Sequence, residues 1–221
     1  MFYFQNVYYA ILMIAFIIGV VRYQKLATPF QILTYYLLAT IILEIFARVL
    51  AIKFRNNALA YHLMSANGYV FYSLVYYFLF INKKIKRLVL LSIFPVVLFF
   101  FINLFFLQQP SRETFPTNFY LLTNTFFVIL SLLLFKQMLQ HSSQVTIVKQ
   151  SIFWFNTAIL FFSATMFLNM GLLNYYVTHK WGYDIVYYFW EGNFCLFNVL
   201  ISISLFIDKR DPYSIIWVQK T

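Results

Sequence analysis

Glu44 and Arg48 are the residues of this chain most able to do chemistry, because they interrupt an otherwise apolar run from Ile32 to Ile52. Ionisable side chains at the depth of a bilayer are costly, and as a rule they face the bundle interior, where they pair, bind or relay protons. The two are four residues apart with the acid first, so on a helix they share a face in the order that favours an ion pair. Asn67, Asn169 and Glu191 stand in three other apolar runs. Counting along each helix at about 1.5 Å per residue puts Arg48, Asn67, Asn169 and Glu191 towards one side of the bundle, with Glu44 near its middle. The five make a candidate ligand-binding set. Arg48 would contact an anionic group, Glu44 and Glu191 would hold Arg48 when the site is empty, and Asn67 and Asn169 would orient the ligand. The same residues admit a plainer use, in which Glu44 pairs with Arg48, or Arg48 with Glu191, and the asparagines bond between helices to lock the bundle.

Other chemistries find no support in the spacing. There is no Ser-His-Asp grouping, glycine-rich phosphate loop or carboxylate pair at catalytic spacing, so no enzyme activity is expected. His62, His141 and His179 are scattered, which argues against a metal site, and His62 beside Tyr61 is expected to be an interfacial side chain. The single cysteine, Cys195, excludes an intramolecular disulfide and is expected to be a small buried hydrophobe. No cofactor is implied.

The elements that position these residues follow from composition. The 221 residues are 63% hydrophobic and 23% aromatic with only 10% charged, which excludes a soluble domain with a solvated surface. About 20 mostly apolar residues span a bilayer, and seven such runs can be marked: 4–21, 32–52, 58–81, 88–107, 119–135, 152–173 and 185–207. Continuous runs of this length exclude a β-barrel. The expected fold is a single all-α domain over residues 1–221, a seven-transmembrane-helix bundle. The first run lacks the basic start and small-residue cleavage site of a secretory signal, so it is expected to remain as a helix. The formal charge of +10 does not imply nucleic acid, because the bases cluster at span ends. Eleven lysines and arginines fall on one side, four on the other, and Arg48 lies within a span. That bias predicts the amino terminus outside and the carboxyl terminus in the cytoplasm of an inner-membrane protein. Pro95 is expected to kink the fourth helix. The longest cytoplasmic connection, Lys136–Gln150, is the expected docking surface for a partner, and the segment after Ile207 is expected to be too short to fold alone.

Glu44 in the second run, followed by Asn56-Asn57 and Tyr61-His62 at the start of the third, resembles a group of small bacterial seven-helix membrane proteins of unassigned function. These are similar in outline to the seven-helix sensory regions of membrane histidine kinases. Microbial rhodopsins are not matched, since the last run has no lysine, and the proline-glutamine pairs of PQ-loop transporters are missing. The resemblance implies a sensory role, and because the chain holds no phospho-acceptor or ATP-binding domain, the signal would pass to a separate protein. The expected function is therefore a non-enzymatic sensor or accessory subunit that binds a small or membrane-borne ligand in an outward-facing polar pocket between the second, third, sixth and seventh helices. Its expected partners are the lipid bilayer, a cytoplasmic signalling protein or membrane complex, and possible further copies of itself. A proton-coupled transporter using Glu44, or a structural subunit, are the alternatives.

Overall fold

The computed structural model describes residues 2–110, 115–140, 146–179 and 183–209, with side chains described from residue 5 and not for 173–179 or 183–187. The described chain is helical, with seven long helices: α1 (Phe2–Val21), α2 (Thr28–Phe54), α3 (Ala58–Leu79), α4 (Lys83–Ile102), α5 (Thr117–Gln140), α6 (Ser151–His179) and α7 (Tyr183–Ile207). Four stretches are long and apolar enough to cross a membrane: α4 with the π-helical turn that follows it, α5, Ser151–Leu172 of α6 and Tyr188–Ile207 of α7. The side chains on the outside of the bundle fit that reading. Val21, Ile52, Phe94 and Phe106 are each more than three-quarters exposed, as apolar groups are where the surrounding solvent is itself apolar.

Local sequence explains the helix ends. Proline in the first turn of α2 loses no bond that a helix start would have made. At the other end of α2, Arg55 takes a left-handed φ of 54° and its N–H bonds the Ala51 carbonyl at 3.1 Å, the usual way to close a helix. Asn82 caps α4 by accepting the Lys84 N–H at 2.8 Å. Helix α4 continues through Pro95 as far as Ile102 and then loosens into the π turn Asn103–Leu107. Helix α5 runs to Gln140, beyond its expected end at residue 135. The reason lies in its last turn, where Met138 is buried and Gln137 bonds the Leu79 carbonyl and the Ile81 N–H at the end of α3. Of the expected docking connection, residues 141–145, with His141, lie outside the described residues.

Packing arranges six helices in a ring. Helix α1 sits between α7 and α2, α2 packs on α3, α3 touches α5, and α5–α6 and α6–α7 close the circuit, while α4 packs on the outside of α3. Helices α1 and α2 approach closely at Gly19, where an added Cβ would lie 2.7 Å from the Thr34 hydroxyl. The core is aromatic, with Tyr76 stacked between Phe80 and Phe127. A buried polar knot ties α3, α5 and α6: the Tyr76 hydroxyl donates to Asn156 Oδ1 at 2.9 Å and meets the Ser131 hydroxyl at 2.6 Å, and Asn156 Nδ2 donates to the Ser131 carbonyl at 2.9 Å. This is the interhelical asparagine bonding that apolar surroundings favour.

Candidate functional site

The ring encloses a cavity of about 90 Å³ near the end of the bundle where α1 begins and α2 meets α3. All six ring helices wall it and α4 does not, so the site has α1 and α5 in addition to the four expected helices. Helix α1 contributes Gln5, Tyr8 and Tyr9; α2, Tyr36, Thr40 and Glu44; α3, Tyr61, Ser65, Tyr69 and Tyr72; α5, Tyr120, Asn124 and Phe127; α6, Phe162 and Ser163; α7, Trp190, Glu191 and Phe194. The wall is thus built from aromatic rings whose hydroxyls, with two carboxylates, turn a buried space polar. Phe115 links three of these walls at the same end, with ring centroids 5.1 Å from Trp190, 5.2 Å from Tyr61 and 5.6 Å from Tyr120. Asn56 ties the α2–α3 turn to the chain after α4, accepting the Ala58 N–H and donating to the Pro110 carbonyl at 2.8 Å.

Glu44 is held from α1, where the Tyr8 hydroxyl donates to one carboxylate oxygen at 2.8 Å and the Tyr9 hydroxyl to the other at 3.4 Å. The helix spacing predicts a Glu44–Arg48 ion pair, and that expectation is corrected: among the described residues the two form none. Arg48 is exposed, with its guanidinium carbon 5.1 Å from the centre of the Tyr9 ring. Tyr9 therefore stands between the acid and the base, bonding one through its hydroxyl and the other through its π face. Glu44 also borders a second space of about 390 Å³, a lateral groove between α1 and α2 lined by Asn6, Tyr9, Met13, Ile45 and Arg48.

The five candidate residues therefore separate. Glu44 and Glu191 line the cavity, Arg48 lines the lateral groove, and Asn67 and Asn169 line neither. Asn169 is buried with its amide nitrogen unpartnered. His62, expected at an interface, is fully buried on α3, and its carbonyl accepts the Ser65 hydroxyl at 2.7 Å. The sequence reading passed over Tyr8, Tyr9 and Trp190. Their signal was a tyrosine pair and a tryptophan within apolar helices, since a buried phenol or indole needs a hydrogen-bond partner. Asn124 is 4% exposed and its Nδ2 has no hydrogen-bond partner.

The opposite end of the bundle holds a cluster that the sequence reading did not anticipate. Asp208, just past α7 and buried, accepts the Ala27 N–H on Oδ2 and the Ser151 hydroxyl on Oδ1, both at 2.7 Å. Its carbonyl accepts Arg22 Nη2 at 2.7 Å, and Ser204 donates to the Ser151 carbonyl at 2.9 Å. Ala27 precedes α2 and Ser151 begins α6, so two helix amino termini, each favourable to negative charge, converge on one carboxylate. Burial nonetheless raises the Asp208 pKa above its ordinary 3.8, against the downward pull of Ala27, Ser151 and the Arg22 charge. No protein-family model, curated protein or solved structure matches this chain.

Proposed function

We propose that this chain is a non-enzymatic sensor or accessory subunit of the inner membrane, with seven membrane-crossing helices, its amino terminus outside and its carboxyl terminus in the cytoplasm. It binds a small ligand in the outward-facing cavity and passes the effect to a separate cytoplasmic partner. One observation carries this reading: α1, α2, α6 and α7, which wall the cavity at one end, are the elements joined by Asp208 at the other. A ligand that prefers one packing of these helices shifts the clasp by as much as its differential affinity for the two packings, a few kcal/mol for a useful switch. Concave sites between helices, mainly apolar with a few convergent polar groups, are the usual form of small-molecule sites.

The test is gentle solubilisation of the tagged chain from its native membrane, with mass spectrometry of what co-purifies. A cytoplasmic signalling protein in near-stoichiometric amount, lost or altered in Asp208→Ala, is the expected result. A larger envelope assembly recovered equally with both chains overturns the sensor reading in favour of a structural subunit. A second reading, a proton-coupled transporter, is favoured by the position of Glu44 between the central cavity and the lateral groove. Solute flux in reconstituted vesicles that is lost in Glu44→Gln would establish it in place of the sensor.

A further inference from the structure

We propose that the lateral groove between α1 and α2 is a phospholipid site, in which Arg48 takes the lipid phosphate and the apolar depth of the groove takes an acyl chain. The site is separate from the central cavity, and the proposal rests on the reading of α2 as a membrane-crossing helix.

The order of residues along the groove carries the argument. Helices α1 and α2 run antiparallel, because Tyr9 meets Glu44 towards one end and Gly19 meets Thr34 towards the other. Asn6 and Arg48 therefore mark the mouth, Tyr9, Glu44 and Ile45 the next turn, and Leu12, Met13 and Ile41 the depth. Polar groups at the mouth with apolar side chains beyond them follow the order of a headgroup and its chain. Glu44 reinforces it, since a carboxylate one turn further in repels a phosphate and keeps the headgroup at the Arg48 end. The groove has a volume of about 390 Å³. A cavity of about 150 Å³ holds benzene, so there is room for a length of acyl chain.

Arg48 supplies the second observation. Among the described residues its guanidinium has no ion pair and no hydrogen bond, and it lies 5.1 Å from the centre of the Tyr9 ring. An arginine within a membrane span is costly unless its donors are met, and its long side chain extends towards the interface to meet them. Arg48 stands six residues before the end of α2 at Phe54, about 9 Å along the helix, within reach of lipid headgroups. The planar guanidinium matches two phosphate oxygens with paired N–H donors. Lys53 and Arg55, both exposed at the same end of α2, add to the attraction for an anionic headgroup.

The experiment is native mass spectrometry of the purified full-length chain in detergent, titrated with three probes. They are dioleoylphosphatidylglycerol, dioleoylglycerol, which has the same chains without the phosphate, and inorganic phosphate. Saturable retention of the phospholipid is expected, with dioleoylglycerol weaker by about tenfold or more and inorganic phosphate unable to displace the lipid at equal concentration. Arg48→Gln should weaken the phospholipid by a similar factor, and Met13→Trp, which fills the groove, should do so with the guanidinium intact. The comparison of probes on the unaltered chain stands without either variant. Equal retention of dioleoylglycerol, or of the phospholipid by Arg48→Gln, overturns the phosphate contact, and displacement by inorganic phosphate overturns the lipid in favour of a free anion. Photolabelling in phosphatidylglycerol vesicles, with a diazirine on the acyl chain, tests the underlying reading. Label on Ile42 and Ile45 without selective retention in detergent overturns the lipid site alone, whereas label confined to α4–α7 overturns the membrane placement of α2 and the site with it.

Discussion

At one end of the bundle Asp208 commits both carboxylate oxygens and its carbonyl to Ala27, Ser151 and Arg22. At the other end Asn124 keeps an unpartnered amide nitrogen and Glu44 borders open space on two sides. Both regions hold an acid among helices, and the second opens onto a cavity. Both acids have each oxygen bonded by their own chain, Glu44 by Tyr8 and Tyr9, but Glu44 also borders free volume on two sides and so remains able to meet something else. The contrast separates a structural carboxylate from a candidate binding one without appeal to depth in the membrane.

The largest effect that bears on this contrast is expected at the clasp. Asp208→Ala leaves the Ala27 N–H and the Ser151 hydroxyl without their acceptor, and stranded buried donors should cost about 3 kcal/mol in all, measured as a fall in the unfolding midpoint in detergent. Gly19→Ala comes next. Its Cβ meets a Thr34 side chain whose hydroxyl is bonded to the Phe30 carbonyl at 3.0 Å, and forced repacking of this kind costs roughly 1–3 kcal/mol.

The pH dependence of the clasp has a definite sign. Because the folded pKa of Asp208 lies above its ordinary 3.8, the folded chain binds the proton more tightly than the unfolded chain. Stability therefore rises as pH falls from neutral through the raised value and levels off below 3.8. Asp208→Asn should remove Asp208's part of that slope while keeping an acceptor for the Ala27 N–H. Unfolding midpoints of both chains between neutral and acid pH check this, and a midpoint that falls on mild acidification, with the fall abolished in Asp208→Asn, would show the clasp to be dominated by ionic attraction instead.

At the cavity the same kind of change should matter less. Glu44→Gln keeps an amide oxygen for the Tyr8 hydroxyl, so its cost in stability should stay within about 1 kcal/mol. A loss as large as that of Asp208→Ala would erase the distinction between the two ends and make Glu44 a structural acid. The smallest effect is expected at Arg55, where glycine relieves a left-handed backbone and should add about 0.5–1 kcal/mol, again read from the unfolding midpoint.

Much of the architecture was legible in the sequence because long apolar runs have few alternatives. Where backbone groups must satisfy themselves, a helix is the only local solution, and the seven expected runs each coincide with a helix, some ends matching, as at Val21, Ala58 and Ile207, and others shifting by a few residues. The ends moved where a distant side chain intervened, as at Gln137, whose partners lie on α3. The presence of acids inside such runs was equally legible, and Glu44 and Glu191 do reach one cavity.

Pairing was decided only in three dimensions. Spacing places Glu44 and Arg48 on one helix face, but it cannot show that α1 lays Tyr9 between them or that two phenols take the carboxylate first. Nor can it show that Asp208 returns to the starts of α2 and α6, since those contacts span 181 and 57 residues. Periodicity along a helix reports which residues share a face. What that face meets depends on the order of helices around the ring, and that order is set by the packing of the whole bundle.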